Sequence, residues 1–552
     1  MLQEMNGEEY TGLLEVLLSP EAGAILAWNS LLLIGTVLLY GILLFATRQT
    51  LIVSSRKIEF DIRNEIVDKL LSLPQRFFAT RKSGDVYVRA TEDVTRVREY
   101  FGPVFMYTIN TLTRAGFIIS MMVIVNPRLT LWALLPLPFL SAFAYWVSGF
   151  IHKYQMIIQR QYSSIADRAG EAFNSIRLIK AYRRESHEQK RFEGESESYR
   201  KKKLRLDLVE SLFHPMLNLL IGISVIIVIW QGGNMVIEGV VTVGNIAEFV
   251  IYVAYLTWPV ASLGYTVNRF QKSIASWERI QELMDEKIEI SDDDRTVEGM
   301  KKLKGEIIFD KVSFNYPGSG EYALKDISLK IRPGETAAIV GRTGAGKSTL
   351  VQLIPRLFDP TSGSIRIDGV DIRNWPIRRL RREIGYVPQD TFLFSTSIRE
   401  NIAFGVESAS DEEIREAAEQ AQLLENILEF EKKFETIVGE RGITLSGGQK
   451  QRTAIARALI KKPGILILDD SLSAVDSETE NAIIQHLQNQ LKGRTIVMIS
   501  HRISSVKNAD TIFYIEDGSL IEYGTHKELL NLEGQYAEMN RKQQLEKELA
   551  EI

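Results

Sequence analysis

Hydrophobic residues are distributed very unevenly along this chain. Five long apolar runs, at about 24–46, 103–125, 129–151, 211–230 and 246–265, crowd the first half, whereas residues 300–552 mix apolar and charged positions as a soluble domain does. A helix needs about 20 mostly apolar residues to cross the hydrocarbon core of a bilayer, so each run is long enough to span it. Between the runs, two polar stretches at about 47–102 and 152–210 keep a helical period. Ile52, Ile58, Ile62, Ile66, Leu70 and Leu71 carry it in the first, and Ile165, Ala169, Phe173 and Ile176 in the second. These stretches predict helices that continue the spans out of the membrane. They either couple the spans to a second domain or stand as solvated hairpins. Downstream, short strand-like runs alternate with helical segments, the pattern of an α/β domain.

Charge orients the spans. Residues 1–23 contain no Lys or Arg but do contain Glu4, Glu8, Glu9, Glu15 and Glu21. Arg48, Arg56, Lys57 and Arg63 follow the first run. Lys153, Arg160, Arg168, Arg177, Lys180, Arg183 and Arg184 follow the third, and Arg200 to Lys203 come after them. By contrast, the turn at 126–128 has only Arg128, and the loop at 231–245 has no basic residue. The positive-inside rule puts the basic stretches in the cytoplasm, so the first run crosses from outside to inside. Met1 then falls on the outer face, and the expectation is that a preceding span is absent from this chain; a genuine five-span subunit is the alternative. Arg114 sits near the middle of an apolar run, where a charge faces protein or an aqueous cavity rather than lipid. His214 with Asn218, and Tyr252 with Tyr255 and Trp258, either line a pathway or pack between helices.

Length and composition narrow the picture further. With 552 residues the chain exceeds one ordinary domain, and its net charge of -4 makes no case for a nucleic-acid partner. It has no cysteine, which excludes disulfides and thiolate metal sites. The reading is a membrane domain at 1–284, a polar linker at 285–304 containing Ser291 to Arg295, a soluble domain at 305–535 and a helical tail at 536–552.

The soluble half carries the chemistry. Gly341, Arg342, Thr343, Gly344, Ala345, Gly346, Lys347 and Ser348 form G-x-x-x-x-G-K-[ST], a phosphate-binding loop, between the strand-like Ala337 to Val340 and a helix beginning near Thr349. Glycines let backbone N–H groups turn toward phosphate oxygens, and the helix N-terminus adds positive potential. Lys347 supplies a point charge to the β- and γ-phosphates, and the Ser348 hydroxyl is placed to ligate Mg²⁺. A second buried strand, Ile465 to Leu468, ends at Asp469 and Asp470; a third, Thr495 to Ile499, delivers Ser500 and His501. Polar groups at the ends of parallel strands are where open α/β sheets bind ligands.

Leu445, Ser446, Gly447, Gly448 and Gln449 then form a pentapeptide that resembles the signature of ABC ATPases, and the whole chain resembles an ABC exporter subunit. The resemblance implies an all-α transmembrane domain of the type I exporter kind followed by an α/β P-loop ATPase, using ATP and Mg²⁺. It implies that Tyr316 stacks on adenine, that Gln389 is the Q-loop residue reaching the metal and the reacting phosphate, and that Ser471 to Asp476 form the D-loop. His501 becomes the switch histidine, and Asp469 the Mg²⁺-side carboxylate. Thr436 to Gly442 resembles the segment before the signature in exporters, and Asn174 to Glu185 resembles their second coupling region. The family's six-span pattern agrees with the expected absence of a first span.

The chain departs from the family at one position. The residue after the Mg²⁺ aspartate is usually Glu, which orients the attacking water, and here it is Asp470. Because each ATP in the family lies between one chain's phosphate loop and the other's signature, a slow site here favours a heterodimer over a homodimer. Asp469 to Asp476 and the tail around Gln543 to Glu546 resemble MdlA-type subunits of bacterial heterodimeric multidrug exporters. The expected role is efflux of drug-like amphipaths across the cytoplasmic membrane, with lipid or peptide export, or a nucleotide-sensing regulatory subunit, as alternatives.

Overall fold

The computed structural model describes residues 20–297, 302–316, 318–439, 445–473, 475, 477–490 and 493–550; the side chains of a few helical residues, His214 and Trp258 among them, lie outside the described set. Residues 1–19, on which the expectation of a preceding span turns, also lie outside it. The chain divides into two compact units, Met1–Leu70 with Gly84–Asp285, and Leu71–Ser83 with Glu286–Ile552.

The first unit is helical, and its helices carry all five apolar runs, the third of them broken by a turn at 135–136. They are α1 (Pro20–Ser72), α3 (Ser83–Val125), α4 (Pro127–Leu134), α5 (Leu137–Asn174), α6 (Ile176–Ala181), α7 (Glu185–Ile237) and α8 (Val243–Met284), while α2 (Gln75–Thr80) belongs to the second unit. Among the described residues, Ala27–Ser72 and Ser83–Val125 are long and apolar enough to cross a membrane, and Ile221–Ile237 and Val243–Leu256 are shorter apolar helices. The turn between α3 and α4 is tight for a local reason. Asn126 leaves helical geometry and its side chain accepts from Leu129 N at 2.9 Å, with Pro127 in the first turn, where a missing N–H costs nothing. Thr242 and Asn245 start α8 with a reciprocal capping box. Met122, Leu129, Val228, Phe249 and Leu256 pack the core between these helices. Leu33 and Phe45 on α1 are instead 66% and 70% exposed, an apolar face of the kind a bilayer or another chain covers.

Two π-helical turns, Arg89–Asp93 and Tyr100–Val104, interrupt α3, the second around Pro103. Asp93 in the first of them is fully buried, and Arg279 of α8 holds it through Nε at 2.9 Å and Nη2 at 2.5 Å. Burial alone would raise this carboxyl, but hydrogen bonds from Arg279 and Ser276 and the charges of Arg279 and Arg96 hold it below the usual range.

Leu71–Ser83, which the sequence alone places in the first domain, groups with the second unit. Within that unit Arg76 pairs with Glu289 at 2.6 Å and Arg81 with Glu286 at 3.6 Å. Two sheets form the body. The antiparallel one runs in the order β2 (Tyr322–Ile331), β1 (Ile307–Asn315), β4 (Ser362–Ile367), β5 (Val370–Asp371). The other runs β10 (Ser519–Gly524), β9 (Thr511–Glu516), β3 (Thr336–Val340), β8 (Thr495–Ile499), β7 (Ile465–Asp469), β6 (Ile384–Val387). Every pairing in this sheet is parallel except that of β10 with β9. Strands β3, β7 and β8 are buried along their whole length, which is why they read as unbroken apolar runs. Because β8 lies between β3 and β7, the C-terminal ends of these three strands come together.

Candidate functional site

The phosphate-loop residues Gly341 to Gly346 link β3 to α9 (Lys347–Leu353). Two of its glycines are sterically required. A Cβ at Gly341 (φ +146°) would come 2.0 Å from the Ile515 carbonyl oxygen, and one at Gly346 (φ +96°) 2.4 Å from that of Ala323. The loop closes around Lys347, whose Nζ donates to the Gly341 carbonyl at 2.9 Å and the Arg342 carbonyl at 2.8 Å. Burial pushes this ammonium below its ordinary value, against the pull of the Asp470 and Asp469 charges. A buried cation inside a glycine-rich backbone loop is a fit for phosphate oxygens.

Ser348 Oγ donates to Asp469 Oδ1 at 2.8 Å, so the first turn of α9 meets the end of β7. Tyr386 at the end of β6 donates to the other carboxylate oxygen at 3.4 Å. Burial raises the Asp469 carboxyl, while hydrogen bonds from Ser348 and Tyr386 oppose the rise. One hydroxyl and one carboxylate are the hard oxygen donors that Mg²⁺ takes when phosphates and water complete its shell, so these two side chains fit that ion. Asp470 follows in the left-handed region at φ +46°, which Asp tolerates better than most residues, and its N–H donates to the Ile499 carbonyl at 3.1 Å. Burial raises its carboxyl too, opposed by the charges of His501, Lys347 and Arg502. Burial lowers the His501 imidazole, and Lys347 adds to that effect while Asp470 opposes it. The phosphate loop, Asp469, Asp470 and His501 thus form one electrostatic cluster at the ends of β3, β7 and β8.

Tyr316 stands beside this cluster, its hydroxyl 3.0 Å from Thr349 Oγ1 and its ring 4.9 Å from that of Phe314 and 5.5 Å from that of Phe358. Gln389 is exposed just beyond β6. In the signature, Ser446 caps α10 (Gly447–Leu459), with Gln449 N donating to Ser446 Oγ at 3.3 Å and Ser446 N to Gln449 Oε1 at 2.9 Å. Leu445 is buried, whereas Ser446 and Gly447 face solvent. The expected segment Thr436 to Gly442 lies partly outside the described residues, as do Ala474 and Asp476 of the D-loop.

Sequence reasoning missed the partners that hold these loops. Arg502, next to His501, donates to Glu480 at 2.8 Å and to the carbonyls of Val475 and Ser473, each at 3.2 Å. Gln451 reaches Ser473 Oγ at 3.3 Å, and Arg457 binds the Asn401 and Phe392 carbonyls while lying over the Phe394 and Phe404 rings. A Tyr or Arg between motifs carries no local mark of such contacts. In the membrane-type unit, Arg114 donates to the Tyr40 hydroxyl at 2.8 Å and Tyr252 to Glu248 at 2.6 Å.

Comparison with known proteins follows the same division. Residues 10–260 match the ABC transporter transmembrane region family, and residues 324–473 match the ABC transporter family. Over 485 residues the chain is 36% identical to the probable multidrug resistance ABC transporter ATP-binding/permease protein YheI of Bacillus subtilis, covering 88% of this chain and 83% of that one. It is 33% identical over 526 residues to the multidrug resistance-like ATP-binding protein MdlA of Escherichia coli, covering 95% and 88%. Identity to the ATP-dependent lipid A-core flippase of Pseudomonas aeruginosa is 36% over 485 residues, covering 87% and 79%. Among solved structures, a bacterial Atm1-family ABC exporter with ATP bound superposes with a TM-score of 0.79 at 27% identity, over 95% of this chain and 92% of that one.

Proposed function

The chain belongs to the ABC transporter family as an exporter that couples ATP hydrolysis to transport, and from this premise we propose that it is one half of a heterodimeric multidrug-type exporter whose own ATP site is slow. In this reading the cargo is a hydrophobic or amphipathic small molecule. The spans lie in the cytoplasmic membrane and the ATPase faces the cytoplasm. ATP draws two ATPase units together, and the helices that continue the spans carry that closure into the membrane.

The observation that carries the reading is Asp470, set beside the phosphate loop and His501 but one methylene shorter than Glu. Tyr316 offers a face for adenine; Gly341 to Gly346 and Lys347 would hold the phosphates; Ser348, Asp469 and Gln389 would hold Mg²⁺, which would neutralise charge on the β- and γ-phosphates. Asp470 accepts a hydrogen bond from the attacking water, and His501 donates to the γ-phosphate. Solvent-facing Ser446 and Gly447 leave the signature free to complete the ATP site on the second chain. The Arg114–Tyr40 pair puts one cationic group in an apolar wall, a contact suited to an amphipath.

Lipid export is the second reading, supported by the 36% identity to the lipid A-core flippase. Proteoliposomes holding the assembled transporter separate the two. The multidrug reading expects ATP-dependent movement of an anionic amphipathic dye, whose charge Arg114 complements, competed by other drug-like amphipaths. Movement of a fluorescent phospholipid alone would overturn it.

A further inference from the structure

The helix α11 (Gln535–Ala550) reaches back to the switch histidine. Its first turn is fixed by Glu522, whose carboxylate accepts from Gln535 N at 2.6 Å and Tyr536 N at 3.2 Å. Tyr536 is fully buried, with its hydroxyl 2.7 Å from His526 Nδ1. Two turns further on, the Gln543 amide meets the switch loop with both ends: Nε2 donates to the His501 carbonyl at 2.5 Å, and Oε1 accepts from Ile503 N at 2.9 Å. That amide orientation is forced, because a backbone carbonyl only accepts and a backbone N–H only donates. The two bonds bracket Arg502, whose guanidinium is held on the other side by Glu480 and the Ser473 and Val475 carbonyls. The backbone of residues 501–503 is therefore gripped by α11 through Gln543 and by the D-loop region through Arg502. Removing the Gln543 amide takes away one acceptor–donor pair, the bond to the His501 carbonyl and the bond from the first-turn donor at Ile503.

We propose that Gln543 is a positioning residue for ATP hydrolysis, holding the switch loop so that the His501 ring faces Asp470 and the phosphate loop. The proposal rests on the reading of His501 as the group that donates to the γ-phosphate. It makes α11 part of the ATPase machinery, so that whatever displaces this helix slows hydrolysis at this chain's site.

The test uses the full-length chain in nanodiscs and measures single-turnover ATP hydrolysis and ATP affinity separately, with Asp470→Glu as a second background if turnover is slow. Gln543→Met keeps the length and the packing and removes both bonds; Gln543→Ala shortens the chain as well. Both are expected to lower the hydrolysis rate about tenfold while leaving ATP affinity within about twofold, since misplacing a reacting group by a fraction of an ångström acts on rate rather than on binding. In a His501→Ala background the Gln543 change is expected to cost nothing further, because it acts through that residue. A Gln543→Met rate within about twofold of the parent, or an equal loss with and without His501, overturns the proposal. If His501→Ala itself leaves hydrolysis unchanged, the underlying reading of His501 fails as well, and the two failures are distinguished.

Discussion

Asp470→Glu is the substitution that bears most directly on the proposed slow site. Asp470 sits at the end of β7 among Lys347, Asp469 and His501, with its backbone held by the Ile499 carbonyl at 3.1 Å. The end of the strand is fixed, so lengthening the side chain moves the carboxylate outward rather than the backbone. One methylene moves it by roughly 1 Å, and a displacement of that size is worth about 10²-fold in rate, or about 2.7 kcal/mol of barrier. The substitution also has a structural cost. The position lies at φ +46°, where Glu is less at ease than Asp, at roughly 1 kcal/mol. The expected outcome is a rise in kcat of about 10- to 100-fold with ATP affinity unchanged and a slightly lower thermal midpoint. Phosphate release by the full-length chain in nanodiscs, with nucleotide binding measured in parallel, reads both quantities. A kcat within about twofold of the parent in a folded, ATP-binding variant would refute the reasoning, because side-chain length would then not limit the site.

Three further outcomes are expected. Lys347→Ala removes the cation that the Gly341 and Arg342 carbonyls now hold, and ATP affinity measured by titration falls at least about tenfold. Gly341→Ala drives a Cβ to 2.0 Å from the Ile515 carbonyl, so the phosphate loop must open and the thermal transition drops by the equivalent of about 2 kcal/mol or more. For Asp470→Asn in the nucleotide-free, EDTA-treated chain, the sign follows from the raised carboxyl. Burial lifts its pKa above the ordinary 3.8, so the ionised form is disfavoured in the fold; that penalty is complete above the folded pKa and vanishes below 3.8. Asn should therefore raise the thermal midpoint at neutral pH, with the gain shrinking as pH falls toward 3.8; a midpoint lowered at neutral pH contradicts the assignment.

Features written in contiguous residues were legible in the sequence. The phosphate loop needs two glycines and a lysine at set spacing, and β3, β7 and β8 show as apolar runs because both faces are covered. The five apolar runs sit in helices because a span is apolar along its length, and the short break at 126–128 falls at the turn between α3 and α4. Pairings made across the fold were not legible. Nothing in the sequence joins Gln543 to His501, or Tyr386 to Asp469, because each contact exists only once sheet and helices have packed. Asp93 and Arg279 lie 186 residues apart, and each alone reads as an ordinary solvated charge on a helical face. The grouping of Leu71–Ser83 with the second unit was hidden similarly, since the stretch 47–102 reads as one run of helical period. The exposed signature is a different case. Its spacing identifies it, but in the proposed dimer what it faces is supplied by a second chain.

The measurement that tests the account most directly is ATPase turnover of the full-length chain in nanodiscs, alone and then assembled with a second ABC half-transporter that carries Glu at the position of Asp470. A slow site completed by a faster partner gives negligible turnover alone and vigorous turnover together. Vigorous turnover by this chain alone would contradict it, making Asp470 a competent base and the homodimer the working transporter.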